Sequence, residues 1–314
     1  MNSENFFNLF SDIVGNTLFL EVMYTLIILF YSIILIIISR GTGILLEYPD
    51  DRKNHKKPVP LIGGTVLFVT ILSLSNFGMY DKIILKDPIF YLIFLVGFMD
   101  DLLEVPYYIK LILQFIPGII FANTNPIVFP NLFHNSIFNI LSENEFLWKV
   151  LSFLLFIIIV NAFNLIDGVN GLLLGISLIY SVLSLDFKLT GILLILLTLN
   201  FNELLFMGDS GAFLIAYLLL KKRVLSSDFI ETSVFFGYPL YEIASSFLRR
   251  LVFRQNPFKP DRFHLHHIGI EKFGITIFLI NAYMLTLGFS LISTQKFGVI
   301  FFIITFLVLF SVHI

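Results

Sequence analysis

Apolar stretches of about 20 residues recur from one end of this chain to the other, and each is long enough to cross the hydrocarbon core of a bilayer. Of 314 residues, 57% are hydrophobic and only 13% are charged, whereas soluble domains carry roughly 25% charged residues. A soluble core does not need so many apolar stretches of this length. The sequence therefore predicts an all-α, polytopic transmembrane helical bundle.

We predict about eleven membrane spans, one for each apolar stretch. Their approximate bounds are 18–39, 61–80, 87–103, 105–123, 147–165, 171–186, 189–205, 210–220, 230–248, 274–293 and 297–313. No internal repeat or low-complexity linker separates them, so we expect one domain over residues 1–314. The chain has no cysteine, which excludes disulfides, thiolate catalysis and cysteine-based metal sites.

The distribution of Lys and Arg predicts how the bundle is oriented. Two basic regions, 40–57 and 249–272, lie on the same side if about eleven spans alternate. The positive-inside rule makes that side the cytoplasm, with the N-terminus outside and the C-terminus inside a bacterial cytoplasmic membrane. All dense clusters of acids, amides and histidines fall on this side, in segments that begin near Arg40, Asp100, Asn161, Gly208 and Arg249. We therefore expect the functional site at the cytoplasmic face.

The first of these segments is basic and suits phosphate. Lys53, His55 and Lys56 precede Gly63 and Gly64, and glycine lets backbone N–H groups approach an anion closely. The alternative is a solvated loop that faces anionic lipid headgroups, as basic juxtamembrane segments commonly do.

The last segment is also basic and carries Arg262, His264, His266 and His267. Guanidinium groups beside imidazoles form a surface that binds anions such as phosphate. The alternative is zinc, because neutral imidazole is one of its common ligands. The number of neighbouring cations favours phosphate.

Acidic residues mark two further segments. Asp100 and Asp101 are adjacent at the end of an apolar stretch, where their charges repel unless a cation relieves them. Asp209 lies in a Gly-Asp-Ser-Gly motif with an apolar stretch on each side. Such an open carboxylate suits Mg²⁺, which takes one or two carboxylates and keeps waters for phosphate oxygens.

The remaining segment combines amides with an acid. Asn161, Asn164 and Asp167 are spaced three apart, which places them on one side of a helix. The pairs Asp167-Gly168 and Asn170-Gly171 then break the helix. Irregular backbone at membrane depth is tolerated only where it is enclosed by protein or lines a cavity, so we expect a polar cavity here.

Taken together and in this order, the five clusters resemble the polyprenyl-phosphate N-acetylhexosamine-1-phosphate transferases, which form glycosyltransferase family 4. This family includes phospho-MurNAc-pentapeptide translocase and the initiating transferases of O-antigen and teichoic acid synthesis. The resemblance covers residues 40–270 approximately. The run Pro-Phe-x-Pro-Asp-Arg-x-His-Leu-His-His at 257–267 is similar to the O-antigen and teichoic-acid branch.

The resemblance implies a phosphotransferase that moves an N-acetylhexosamine 1-phosphate from a UDP-sugar to undecaprenyl or another polyprenyl phosphate. UMP would be released, and a cell-surface glycan such as the O-antigen of lipopolysaccharide would be initiated. The implied cofactor is Mg²⁺, which Mn²⁺ could replace, and the lipid bilayer holds the acceptor. No nucleic acid is expected as a partner, and a homodimer is compatible with the resemblance. The alternative is a lipid-linked sugar transporter or flippase, which would need polar groups at the bilayer midplane.

The resemblance also implies roles for individual residues. Asp100 and Asp101 match the aspartate pair that handles the prenyl phosphate, and Asp209 matches the aspartate that ligates Mg²⁺. The other expected catalytic residues are Asp167, His264, His266 and His267. The expected substrate contacts are Lys53, His55, Lys56, Asn161, Asn164, Asn170 and Arg262, with Asn170 at the uracil. Two positions depart from the pattern, because Asn170 replaces an Asp of many bacterial members and Glu242 replaces an Asp of this branch.

Overall fold

The computed structural model describes residues 3–49, 57–128, 144–255, 264–295 and 297–313. These residues form thirteen α-helices, one short 3₁₀ helix at Lys82–Lys86 and a two-stranded antiparallel ribbon. The helices are α1 (Ser3–Thr42), α2 (Gly63–Asn76), α3 (Pro88–Leu103), α4 (Tyr107–Thr124), α5 (Glu145–Ile166), α6 (Leu172–Leu183), α7 (Phe187–Phe201), α8 (Gly208–Val224), α9 (Phe229–Phe235), α10 (Gly237–Val252), α11 (Leu265–Phe273), α12 (Ile275–Ile292) and α13 (Gly298–His313). The ribbon pairs β1 (Leu46–Glu47) with β2 (Val59–Pro60).

The helices coincide with the apolar stretches of the sequence. Three segments are long and apolar enough to cross a membrane, namely Val22–Thr42 of α1, the whole of α5 and the whole of α12. Shorter apolar helices are α2, α6, α7 and residues Gly298–Ser311 of α13. The predicted helical class is therefore confirmed, and the chain is a multi-pass membrane protein. The number of eleven spans stays a prediction.

The ninth predicted stretch, 230–248, is two helices rather than one. Helix α9 ends at Phe235, and α10 begins at Gly237. Pro239 lies in the first turn of α10 and has no N–H to donate to the carbonyl of Phe235, so one continuous helix would lose a backbone hydrogen bond here. Gly237 also packs against Phe289 so closely that a Cβ would lie 2.8 Å from the ring.

Helix α8 is the centre of the bundle. The sequence predicted only a short span at 210–220, whereas the helix runs from Gly208 to Val224. Every side chain from residue 210 to residue 220 is buried, and the helix packs against α2, α3 and α5. Because protein rather than lipid surrounds it, α8 needs close side-chain packing more than a long apolar surface.

Helices α3 and α8 are antiparallel and are joined at both ends. At one end, Asp87 caps α3 by accepting from the N–H of Ile89 at 3.1 Å, and it also accepts from Tyr217 and Lys221 of α8. At the other end, Asp101 accepts from the first turn of α8. Lys221 is one of the cations on the predicted outer side, and the structure pairs it with a carboxylate.

Glycines let α2 and α3 approach the start of α8. A Cβ on Gly64 would lie 2.2 Å from the nitrogen of Gly211, and a Cβ on Gly97 would lie 2.5 Å from the Cα of Ser210. The N–H groups of Gly63 and Gly64 donate to the carbonyls of Phe206 and Met207 at 2.8 and 2.9 Å. The sequence predicted that these N–H groups approach an anion. In the structure, the two glycines instead allow α2 to pack against the segment that leads into α8.

Candidate active site

The predicted metal ligand Asp209 lies in the first turn of α8. Gly208 precedes it with a φ of +68°, which is a left-handed conformation that favours glycine. A Cβ at Gly208 would lie 2.6 Å from Oδ1 of Asp101. This glycine therefore allows the end of α3 to contact the start of α8 directly, and the Asp209 side chain is 17% exposed.

Lys110 of α4 links two carboxylates at this position. Its Nζ lies 2.9 Å from Oδ2 of Asp100 and 2.6 Å from Oδ2 of Asp209. The same oxygen of Asp209 accepts a hydrogen bond from the Asn164 amide at 2.9 Å. Helices α3, α4, α5 and α8 thus each contribute one polar side chain to a single cluster.

The cluster fits a divalent cation. Oδ1 of Asp100 is buried and has no hydrogen-bond partner among the described residues, so they leave one acceptor of the cluster unsatisfied. Among the described residues, no three acidic, histidine or cysteine side chains converge to hold a metal ion. Mg²⁺ does not need such a set, since it is commonly bound by one or two carboxylates together with water and substrate phosphates. Asp209 and Asp100 are suitable donors.

Asp101 has a different environment from Asp100. Its Oδ1 accepts the backbone N–H of Asp209 at 2.7 Å, and its Oδ2 accepts the backbone N–H of Ser210 at 3.1 Å. The Ser210 hydroxyl also donates to Oδ2. The Asp101 carboxylate therefore contacts the N-terminus of α8 with both oxygens.

Asp167 directly follows α5 and lies near the acidic cluster. Burial raises the pKa of Asp167 well above its ordinary range, and the carboxylates of Asp209 and Asp101 raise this pKa further. A cation bound between these groups would favour the ionised form of Asp167. The predicted aspartates thus share one electrostatic environment.

The loop after Asp167 is fixed by two side chains from other helices. Asn200 accepts from the N–H of Gly171 at 2.8 Å, and Tyr283 donates to the carbonyl of Gly171 at 2.8 Å. Gly171 has a φ of +85°, and a Cβ there would lie 2.3 Å from the ring of Phe201. Asn170, the predicted uracil contact, is partly exposed next to this anchored position.

One of the predicted histidines contacts the same loop. His266 is buried. Its Nε2 lies close to Gly168, because a Cβ added at Gly168 would be 3.2 Å from this nitrogen. His264 is buried and its Nδ1 is 2.8 Å from the hydroxyl of Ser246. His267 is exposed. His266 thus reaches the loop that carries Asp167.

A fully buried carboxylate lies behind His266. Oε1 of Glu242 is 3.7 Å from Nδ1 of His266 and accepts a hydrogen bond from Tyr238 at 2.9 Å. Glu242, which replaces the Asp of this branch, therefore faces the histidine motif from α10. Its longer side chain still brings a negative charge to the imidazole.

Asn161 does not join the cluster. Its amide donates to Oε1 of Gln114 at 2.6 Å and to the carbonyl of Ile157 at 2.8 Å, so both of its amide hydrogens have protein acceptors. The predicted substrate contact of Asn161 stays a prediction. Four other predicted contacts, Lys53, His55, Lys56 and Arg262, lie outside the described residues.

Sequence reasoning missed Lys110 as a site residue. The lysine was visible inside an apolar stretch, where an ionisable residue indicates a functional site and a charged partner. Asn200 and Tyr283 were also missed. A lone Asn at a helix end and a Tyr in an apolar helix carry no comparable signal.

Comparisons with known proteins identify the family of the chain. Residues 88–226 match the family model of glycosyl transferase family 4, a range that includes Asp100, Lys110, Asn164 and Asp209. The chain is 35% identical over 287 residues to an undecaprenyl-phosphate alpha-N-acetylglucosaminyl 1-phosphate transferase of Thermotoga maritima, covering 87% of this chain and 89% of that protein.

Two more distant relatives have similar names. The enzyme of the same name from Escherichia coli K12 is 27% identical over 268 residues, which cover 74% of this chain and 70% of that protein. A probable undecaprenyl-phosphate N-acetylglucosaminyl 1-phosphate transferase of Bacillus subtilis is 23% identical over 297 residues, which cover 84% and 82%. Enzymes of this family generally depend on a divalent metal ion. The chain belongs to glycosyl transferase family 4, the polyprenyl-phosphate N-acetylhexosamine-1-phosphate transferases.

Proposed function

We propose that this protein transfers an N-acetylhexosamine 1-phosphate from a UDP-sugar to undecaprenyl phosphate and releases UMP. The names of its relatives point to this donor and acceptor. The observation that carries the proposal is the cluster at the start of α8, where Asp209 shares Lys110 with Asp100. It combines carboxylates for a metal ion with a cation for phosphate.

Within this cluster, Asp100 is the group that faces the acceptor. Its unpartnered Oδ1 can accept the proton of a prenyl phosphate or orient the phosphate by a hydrogen bond. Lys110 offsets negative charge on the phosphates, as an ammonium group commonly does. Asn164 fixes the direction of the Asp209 carboxylate through its hydrogen bond of 2.9 Å.

Asp209, with Asp100 beside it, would hold Mg²⁺. Bound there, the ion offsets charge on the diphosphate oxygens during phosphoryl transfer. His266 directs Nε2 toward Gly168 in the loop that follows Asp167, where an imidazole can donate to a phosphate oxygen. Asn170 can donate to and accept from a uracil, because its amide has both kinds of group.

A transporter of lipid-linked sugars is not favoured. Transport requires polar groups near the bilayer midplane, whereas Asp100, Asp101, Asp167 and Asp209 all lie at the ends of helices. The curated relatives are transferases by name.

We place the site at the cytoplasmic face of a bacterial cytoplasmic membrane. This orientation follows from the positive-inside rule applied to the basic regions 40–57 and 249–272. A nucleotide sugar made in the cytoplasm can then reach the cluster directly, while the lipid acceptor stays in the bilayer.

The test uses the purified protein in detergent with undecaprenyl phosphate and a panel of UDP-sugars. We expect UMP release with at least one UDP-N-acetylhexosamine, dependent on both the lipid and a divalent cation. The donor that gives the highest kcat/KM identifies the sugar. Absence of UMP release with every UDP-sugar, from protein that binds Mn²⁺, would contradict the proposed function.

A further inference from the structure

Helix α8 lacks a cap from its own sequence neighbours. Met207 occupies the N-cap position, and its side chain makes no capping hydrogen bond. The first four N–H groups of any α-helix have no partner within the helix. In the first turn of α8, Gly208 and Ser210 are buried, so a side chain from elsewhere must accept from these groups.

Asp101 of α3 supplies this cap. Its two oxygens accept from the backbone N–H groups of Asp209 and Ser210 at 2.7 and 3.1 Å and from the Ser210 hydroxyl. The carboxylate also lies directly against Gly208, where a Cβ would be 2.6 Å from Oδ1. A negative charge at a helix N-terminus is further stabilised by the helix dipole.

The neighbouring Asp100 has no such role. One of its oxygens accepts from Lys110 at 2.9 Å, and the other is buried without a partner. The two adjacent acids therefore contact different groups: Asp101 contacts the backbone of α8, and Asp100 contacts the Lys110 ammonium.

We infer that Asp101 is a positioning residue: it holds the first turn of α8 and thereby directs the Asp209 carboxylate toward the metal. This inference rests on the proposed function, and it separates the two members of the aspartate pair. The family resemblance assigns both of them to the prenyl phosphate. A residue that acts through Asp209 should instead change metal affinity and leave acceptor affinity nearly constant.

The experiment compares Asp101→Asn and Asp100→Asn with the wild type. Asn keeps one acceptor oxygen, but its NH₂ group faces the N–H and hydroxyl donors of Ser210. We measure Mn²⁺ binding by EPR on the purified protein and, separately, the Mg²⁺ midpoint of activity and the KM for undecaprenyl phosphate. For Asp101→Asn we expect Mn²⁺ affinity to fall by about tenfold, as for loss of a hydrogen bond to a charged group.

Kinetics should agree with the binding data. High Mg²⁺ should restore part of the activity of Asp101→Asn, and its KM for undecaprenyl phosphate should stay within about twofold of the wild type, as a purely indirect effect predicts. A rise in that KM of about tenfold with unchanged Mn²⁺ affinity would overturn the inference and return Asp101 to the acceptor site.

A milder variant covers the case in which Asp101→Asn does not fold. Ser210→Ala removes only the hydroxyl bond, so we expect a smaller loss of Mn²⁺ affinity. If Asp101→Asn does fold, the effects of the two substitutions should be non-additive in the double variant, because both act on one contact. The inference would be contradicted if Ser210→Ala left Mn²⁺ affinity unchanged. It would also be contradicted if the two substitutions had additive effects on Mn²⁺ affinity. Because EPR needs no substrate, this result is independent of whether the proposed reaction is observed.

Discussion

A single ammonium group separates two carboxylates in the candidate active site. Lys110 contacts Asp100 and Asp209 at 2.9 and 2.6 Å, and all three side chains are less than one fifth exposed. In such a partly desolvated place, charges interact more strongly than in water. A divalent cation that binds to Asp209 must therefore share this carboxylate with Lys110 or displace the ammonium from it.

The first prediction concerns Asp209 itself. Asp209→Asn keeps the shape of the side chain and removes its charge. We expect kcat to fall by at least about a hundredfold, as for loss of a principal electrostatic stabiliser, and the Mg²⁺ midpoint to rise. The measurement is UMP release against Mg²⁺ concentration.

A matched control is Asp228→Asn. Asp228 caps α9 by accepting from the N–H of Glu231 at 2.8 Å, and Asn is an equally good N-cap residue. This control should keep normal activity. Near-normal activity of Asp209→Asn with an unchanged Mg²⁺ midpoint would show that the metal is held elsewhere.

The second prediction separates Lys110 from its two partners. Lys110→Met leaves Asp100 and Asp209 without their shared cation, so the local potential becomes more negative. We expect the Mg²⁺ midpoint to fall, opposite to Asp209→Asn, while kcat falls by about tenfold or more because a cation that offsets phosphate charge is lost. Lys110→Arg, which keeps the charge, should retain the wild-type midpoint more closely.

Lys149→Met is the control for loss of a lysine. In the part of the chain that the structure describes, Lys149 pairs with the exposed Glu145 at 2.7 Å, and exposed ion pairs contribute about 0–1 kcal/mol. Activity of this variant should be normal. If the Mg²⁺ midpoint of Lys110→Met rises instead, then Lys110 supports metal binding and does not compete with it.

At the scale of helices, the site depends on how closely α3 and α8 pack. Their contact is lined by Gly97, where an added Cβ would lie 2.5 Å from both the Cα and the nitrogen of Ser210. Backbone atoms cannot move aside as a flexible side chain can. A methyl group at this position would separate the helix that carries Asp101 from the helix that carries Asp209.

The third prediction follows from this contact. Gly97→Ala should lower thermal stability, since overpacking costs about 1–3 kcal/mol, and should reduce activity strongly. Gly191→Ala on α7 is the control, because no atom lies within 4 Å of the added Cβ and Ala favours a helix over Gly by about 1 kcal/mol. The measurement is thermal unfolding in detergent. Equal midpoints for Gly97→Ala and wild type would contradict the packing argument.

Element positions and acid motifs could be predicted from the sequence, but side-chain directions could not. Asn161 and Asn164 are spaced three apart, which predicted that both face one site. Three residues rotate a helix by about 300° and advance it by about 4.5 Å. This rotation and advance are enough for Asn164 to reach Asp209 while Asn161 pairs with Gln114 of α4.

Contacts between residues far apart in sequence could not be predicted either. Lys110 and Asp209 are 99 residues apart in sequence, and only the packing of α4 beside α3 and α8 brings them together. The break between α9 and α10 could have been expected from Gly237 and Pro239, which stand in an otherwise apolar stretch.

At the scale of the whole molecule, the fourth prediction concerns topology. The chain has no cysteine, so single introduced cysteines report one position each. Lys56→Cys and a cysteine appended after Ile314 should be labelled only from the cytoplasmic side. Glu145→Cys should be labelled from outside, because α5 runs from Glu145 toward the site at Asp167. An impermeant maleimide applied to intact cells and to inverted vesicles makes the measurement.

The cysteine-free chain is the negative control for this labelling. If Lys56→Cys and the appended cysteine report opposite sides, the number of spans between them is odd and the count of eleven is wrong. If both report the outside, an even number of spans separates them, as predicted, and the orientation is reversed.

The cap that α3 gives to α8 has a consequence for biosynthesis. Asp101 leaves the ribosome 108 residues before Asp209, and neither can serve the site until both helices have entered the bilayer and met. A nascent or truncated chain that ends before α8 has its aspartate pair but no metal ligand held beside it. In such a fragment the polar cluster is incomplete, so the site can form only after α8 has been translated and has packed against α3.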